Sequence, residues 1–368
     1  MKINPLRNDN KLKLGVFAFN GGGGAFTKHP DRFVATWDNN VQIAQLADAL
    51  GLEALVPYAK WKAFAEDGHY SGRTFETFAW AAGLAALTKQ IAVLSTVHVP
   101  VHHPVLTAKL ASTIDHISGG RFGLNIVCGW YKPEMEMFGR DISAHDDRYT
   151  AADEWVTFLK RLWQEPRGFD FAGQFYSAKQ AFSDPKPLGE RPILMNAGGS
   201  DRGRAFAAQN CDLAFILPFD PRPEAIKAQV DGYRTLAREK HGREIRVWTY
   251  GYCVQRDSVE EASAYVDEYA GTHGDTVAAD NFIAQSVANA KTVPAGVMQK
   301  MRYALMAGIG SYPLLGNADD IANTLGSLSS AGIDGVLLMW MDYCGGLRNF
   351  GEHVLPRLER AGLRQPRA

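Results

Sequence analysis

Cysteine is scarce in this chain, and charge of either sign is in no excess. The 368 residues hold four cysteines, Cys128, Cys211, Cys253 and Cys344, which lie far apart with no C-x-x-C pairing. That spacing argues against a disulfide framework or a zinc site and fits a reducing, cytoplasmic compartment. Lysine and arginine total 39 against 40 aspartate and glutamate, for a formal net charge of −1. No basic stripe appears, so nucleic acid and anionic membranes are poor candidate partners. No apolar run approaches the length of a membrane span. The opening residues, MKINPLRNDNKLKLGVF, lack an apolar leader segment and a small-residue cleavage site.

Catalytic signatures are also missing. No G-x-G-x-x-G follows the first strand-like run, because Gly21–Gly24 is a glycine run without that spacing. At the ends of the strand-like runs no two acids cluster and no histidine–carboxylate spacing suits a metal; the adjacent His102 and His103 rarely chelate one ion. Hydrolysis by paired carboxylates or a bound metal is therefore disfavoured, and an organic cofactor fits better.

What is present is a regular alternation. Hydrophobic residues make up 46% of the chain, enough for a large core. Strand-like runs fall at Leu12–Phe19, Glu53–Tyr58, Ile91–His98, Phe122–Cys128, Ile193–Asn196, Leu213–Leu217, Ile245–Cys253 and Gly335–Met341, with helix-like stretches between them. Eight βα units predict a (β/α)₈ barrel, with an open doubly wound sheet as the rival. The barrel forms one domain over residues 1–368, interrupted by insertions at about 164–190 and 272–312. Long ordered connections of this kind serve as lids or binding loops.

Barrel active sites lie at the C-terminal ends of the strands. Those ends carry Asn20, then Tyr58, Ala59 and Lys60, then Thr96 and His98, and then Asn125 to Trp130. Asn196 to Ser200, Phe219 and Asp220, and Trp340 to Asp342 follow. The set is polar and aromatic with few charges. Asn196-Ala-Gly-Gly-Ser200 ends a strand and opens a helix, so its backbone N–H groups suit a phosphate. Arg148 or Arg202 would supply a cation to it. His98 is a candidate for substrate binding or proton movement, and Trp130 for stacking. Lys60 on its own would also suit Schiff-base chemistry, but nothing else supports that.

The segment SGGRFGLNIVCGWYKPEMEMFGRDISAHDDRYT (118–150) is the most specific. Its SGGRFG…GW…PE…RY combination resembles the flavin-binding core of the bacterial-luciferase-like monooxygenases. The likeness is to the pyrimidine monooxygenases first and the dimethylsulfone monooxygenases next. It continues through AAGLAALTKQIAVLSTVH (81–98), ILMNAGGSDRGRAFAAQNCD (193–212) and GVLLMWMDYCGGLRNFGEHVLPRL (335–358).

The resemblance implies a two-component enzyme in which a separate NAD(P)H:flavin reductase supplies reduced FMN. O₂ is the co-substrate, and a dimer or tetramer is the implied assembly. It assigns flavin contacts to Ala59, Lys60, Asn125, Glu134, Arg148, Tyr149, Gly199 and Ser200, and it makes Thr96 and Asn125 the catalytic oxygen pocket. That pair points to a flavin-N5-(per)oxide route on a uracil-like amide. Sulfones, halogenated aromatics and a flavin ring are alternative substrates. Two other readings stay open: a deazaflavin (F420)-dependent hydride-transfer enzyme, and a non-catalytic flavin-binding protein.

Overall fold

The computed structural model describes residues 4–142, 144–218, 220–286 and 295–366. Its strands are β1 (Lys13–Phe17), β2 (Ala54–Val56), β3 (Ala92–His98), β4 (Phe122–Val127), β5 (Phe169–Ala172) and β6 (Ser177–Ala181). They continue as β7 (Ile193–Asn196), β8 (Leu213–Phe215), β9 (Arg246–Gln255), β10 (Tyr312–Gly316) and β11 (Gly335–Met339). Parallel pairing runs β11-β1-β2-β3-β4-β7-β8-β9, and β9 returns to β11. Eight strands thus close into a (β/α)₈ barrel, and they are the eight that the sequence pattern predicts.

The strands are apolar because both faces are covered: every residue of β3 is buried. Inward-facing Ala54, Val56, Leu94, Ile193, Met195, Leu213, Trp248 and Leu337 pack as a plug inside the barrel, and Leu6 joins them from a short N-terminal turn. Above this plug, Phe17, Phe215 and Tyr250 meet with ring centroids 5.0–5.7 Å apart. Those three rings form an aromatic floor at the C-terminal end.

The strands stop earlier than the apolar runs do. Pro57, which has no N–H to donate, follows β2 directly. The residues beyond are released from the ladder and line the barrel mouth.

Both insertions are ordered in a way that a loop reading missed. Residues 164–190 carry the antiparallel β5–β6 hairpin. Phe171 of the hairpin stacks on Phe158 at 4.3 Å, and the Glu154 carboxylate accepts N–H bonds from Gln174, Phe175 and Tyr176. In the second insertion, helices span Thr276–Ser286 and Ala295–Gly308, while residues 287–294 lie outside the described part. The insertion ends in β10, which pairs with the outer half of β9. Pro313 is tolerated in β10 because the strand lies at an edge.

Candidate active site

A cavity of about 240 Å³ opens at the C-terminal end of the barrel, above the aromatic floor. The strands contribute Thr96, His98, Asn125 and Val127 to it, the connections beyond them Tyr58, Ala59, Lys60, Phe64 and Trp130, a short 3-10 turn Tyr70 and Ser71, and the helix Thr276–Ser286 Phe282. Most of this lining is apolar, so the few polar atoms in it decide what it recognises.

Thr96 and Asn125 sit side by side on β3 and β4, paired in register. The Thr96 hydroxyl donates to Pro57 O at 2.6 Å and accepts from Asn125 Nδ2 at 3.1 Å. Its only proton is thereby used, which orients the amide: Asn125 Oδ1 is buried and has no partner in the protein. A buried acceptor without a donor costs free energy unless a ligand satisfies it.

On the opposite side, Glu134 holds the wall together. It starts a short helix, Lys132–Met137, and is 1% exposed. Its Oε1 accepts from the N–H groups of Trp61 (2.8 Å) and Lys62 (3.2 Å), and lies 3.2 Å from Lys60 Nζ. The ammonium packs on the rings of Phe64 (3.2 Å) and Tyr131 (3.8 Å). Burial lowers the Lys60 pKa to about 8, with the Glu134 charge opposing that fall.

His98 also faces Glu134, Nδ1 to Oε2 at 3.9 Å. Burial first, then His102 and Lys60, push its pKa down to about 3. The ring is therefore neutral near pH 7, which revises the expectation that it moves protons there.

The glycine-rich loop leaves the cavity wall at Ala197. Ser200 caps the helix Asp201–Asn210, accepting from Gly203 N at 3.0 Å. The loop is pressed against Tyr149: a Cβ on Gly198 would stand 2.5 Å from the Tyr149 hydroxyl, and one on Gly203 2.7 Å. Gly199 is exposed. Arg148 donates to Gly129 O, and its Nε is buried without a partner. Arg202 is engaged with Asp153, so Arg148 is the cation left for an anion at this loop.

Other sequence candidates fall elsewhere. Asn20 is a brace, bonding both Tyr58 O and Tyr58 N. Trp340 packs on Tyr343 and Phe350, and Asp342 caps the following helix. Asp220 pairs with Arg222 on the surface, and Phe219 lies outside the described residues. His102 bonds back to His98 O, and His103 caps the helix Pro104–Ser118. Among the described residues, His29, Glu268 and His273 bring ligand atoms within 4.8 Å of one another, away from the cavity lining. Sequence reasoning pointed to Tyr58–Phe64 as near the substrate but missed Tyr70, Ser71 and Phe282. The aromatic density of the stretch 58–75 was the one signal that pointed to them.

The luciferase-like monooxygenase family model matches residues 12–335. The chain is 30% identical over 363 residues to the pyrimidine monooxygenase RutA of Shigella flexneri, covering 96% of this chain and 94% of the relative. Among solved structures, a riboflavin lyase determined with modified FMN and riboflavin superimposes with a TM-score of 0.84 at 23% identity, over 96% of this chain and 92% of that one. DmoA from Hyphomicrobium sulfonivorans gives 0.82 at 20% identity, over 96% and 89%. By fold, sequence and family model together, the chain belongs to the luciferase-like monooxygenases.

Proposed function

We propose that this monooxygenase is two-component: reduced FMN from a separate NAD(P)H:flavin reductase, with O₂, oxygenates a small planar amide or heterocycle of the uracil type. The observation that carries the reading is Asn125 Oδ1, a buried acceptor on the cavity wall with no protein donor. A reduced flavin ring presents N–H donors that suit it. The residues fit the rest of such a cofactor. Ala59 and Lys60 would flank the ring, with Glu134 positioning Lys60. The Gly198–Ser200 helix start, Tyr149 and Arg148 would take the phosphate, because backbone N–H groups and a guanidinium converge there.

Bound reduced flavin supplies the electrons that let O₂ give up one atom to a substrate. The chain's own residues set the surroundings. The apolar walls exclude water, and Asn125 Oδ1 turns an acceptor into the cavity beside Thr96. Phe64, Trp130 and Phe282, with ring centroids 5.1–6.0 Å apart, offer a planar substrate aromatic faces. The pyrimidine relatives favour uracil over sulfones, halogenated aromatics or a flavin ring.

The test is anaerobic loading with FMNH₂, then O₂ with uracil, dimethylsulfone, a chlorophenol and riboflavin in parallel. The expected result is one product, from uracil, heavier by one oxygen atom. Oxygen uptake unaffected by every substrate, with hydride exchange to a deazaflavin instead, overturns the reading.

A further inference from the structure

Three hollows meet at residues 69–71. Tyr70 and Ser71 line the inner cavity. His69 and Tyr70 line an outer cleft, and His69 lines a second cleft beside Trp61 and Met137. A side chain at this junction touches the buried site and the outside at once.

The contacts here run from Phe64 through Ser71 to His69 as hydrogen bonds, and from His69 to Asp275 as a close ion-pair contact. Phe64 N–H donates to Ser71 Oγ at 3.0 Å, and Ser71 Oγ lies 2.9 Å from His69 Nδ1. Ser71 N–H also points to Nδ1, at 3.3 Å. Nδ1 is thus the accepting nitrogen, and the ring proton belongs on Nε2. Nε2 lies 2.8 Å from Asp275 Oδ2, with the two side chains 9% and 1% exposed. Asp275 opens the helix Thr276–Ser286 and is held there by Ala278 N–H at 3.2 Å, with Lys28 at 3.8 Å. The neighbouring Tyr70 phenol is held well above its ordinary pKa by burial and by this carboxylate. The groups facing His69 are therefore Asp275 and Tyr70, with Arg32, Glu66, Asp67 and Arg73 around the outer cleft.

We propose that Ser71, His69 and Asp275 form a proton relay that carries a proton from an acidic N–H or O–H of the bound substrate out of the cavity. The relay deepens the monooxygenase reading and rests on it for the identity of the reaction. In the step, the substrate's proton passes to Ser71 Oγ while the Ser71 proton passes to His69 Nδ1. The bonding electron pair stays on the substrate, and the new imidazolium faces Asp275 before releasing its proton to the outer cleft. The cavity lining is mostly apolar and offers few groups to take that proton, so a built path serves its exit. Ser71 is the residue that meets the substrate; His69 and Asp275 position and polarise it. The relay selects for ionisable substrates such as cyclic amides and phenols, and gives nothing to a sulfone.

The probe is 4-nitrophenol, a planar acid whose neutral and ionised forms absorb differently, bound to the full chain with and without oxidised FMN. Wild type is expected to hold more of the bound probe as phenolate at a fixed pH. Ser71→Ala, His69→Gln and Asp275→Asn should each lower the phenolate-to-phenol ratio about tenfold, the size expected when an anion loses one hydrogen bond. Added imidazole should restore His69→Ala through the outer cleft, which a merely structural histidine would not allow. Equal ratios in all folded variants, or a wild type that binds neither form, overturns the relay. No turnover is needed, so shifted ratios without uracil oxygenation would count against the monooxygenase reading alone.

Discussion

The two walls of the cavity are built by different physics. The barrel wall, with Thr96, Asn125 and the rings of Phe17, Phe215 and Tyr250, stands on strands locked in parallel ladders. Asn125 is paired with strands on both sides, and Thr96, Phe17, Phe215 and Tyr250 each with a strand on one side, so the ladder fixes these positions whatever the side chain does. The loop wall, with Lys60, Phe64, Ser71, Trp130 and Phe282, has no ladder. It is held by the buried pairs Lys60–Glu134 and His69–Asp275 and by ring packing. A wall on strands holds its side chains in one place, and a separately fastened wall can be altered without disturbing the barrel.

The largest expected effect breaks that fastening. Glu134→Leu strands the buried Lys60 ammonium and removes the acceptor of two backbone N–H groups. Losing one partner of a buried pair costs about 3–5 kcal/mol. Hydrogen exchange should quicken across residues 58–72 while β3 and β4 stay protected, since local opening follows local contacts. Uniform loss across the barrel strands would erase the distinction between the walls.

Next comes the rigid wall. Asn125→Leu keeps the volume but removes the buried acceptor that a reduced flavin N–H would satisfy, and substrate oxidation should fall about tenfold, the size of one lost hydrogen bond. Its melting temperature should stay near wild type. Unchanged turnover would separate Asn125 from the chemistry.

Gly198→Val tests the loop that leaves the barrel wall. Its side chain would strike the Tyr149 hydroxyl, so FMNH₂ affinity should weaken about tenfold, or about 1.4 kcal/mol. Gly199→Ala, on the exposed neighbour, should lose much less in the same binding titration.

The smallest effect is a pH dependence. Lys60 titrates at about 8 in the fold against 10.5 in the open chain. Its burial opposes folding fully below about pH 8, and this cost fades as pH rises towards 10.5, because the unfolded chain then binds the extra proton. Activity should run the other way. Above about pH 8 the Lys60–Glu134 pair loses its charge, so an alkaline limb should appear near that value. Lys60→Arg, which stays protonated, should remove the limb; a profile unchanged by Lys60→Arg would assign it to another group.

Amino-acid order by itself determined the barrel. Buried parallel strands must be apolar on both faces, so eight such runs separated by amphipathic stretches show in the pattern, and SGGRFG with GW, PE and RY carries the likeness to the luciferase-like monooxygenases. Thr96 and Asn125 were legible for the same reason, since a strand end names its own position at the mouth. The orientation of the amide was not, because it depends on Pro57 O taking the Thr96 proton. Nor could residue order alone show that His98 is neutral, which follows from its depth. The hairpin and β10 escaped notice because the hairpin strands are mostly exposed and β10 carries Pro313, so neither shows the buried apolar run that marks the barrel strands. Only the tertiary structure decided the loop wall. Lys60 meets Glu134 across 74 positions, and His69 meets Asp275 across 206, and no local periodicity records such pairs. They come together because the closed barrel brings the ends of distant strands to one rim, where side chains from separate loops share a space too dry to leave a charge unpaired.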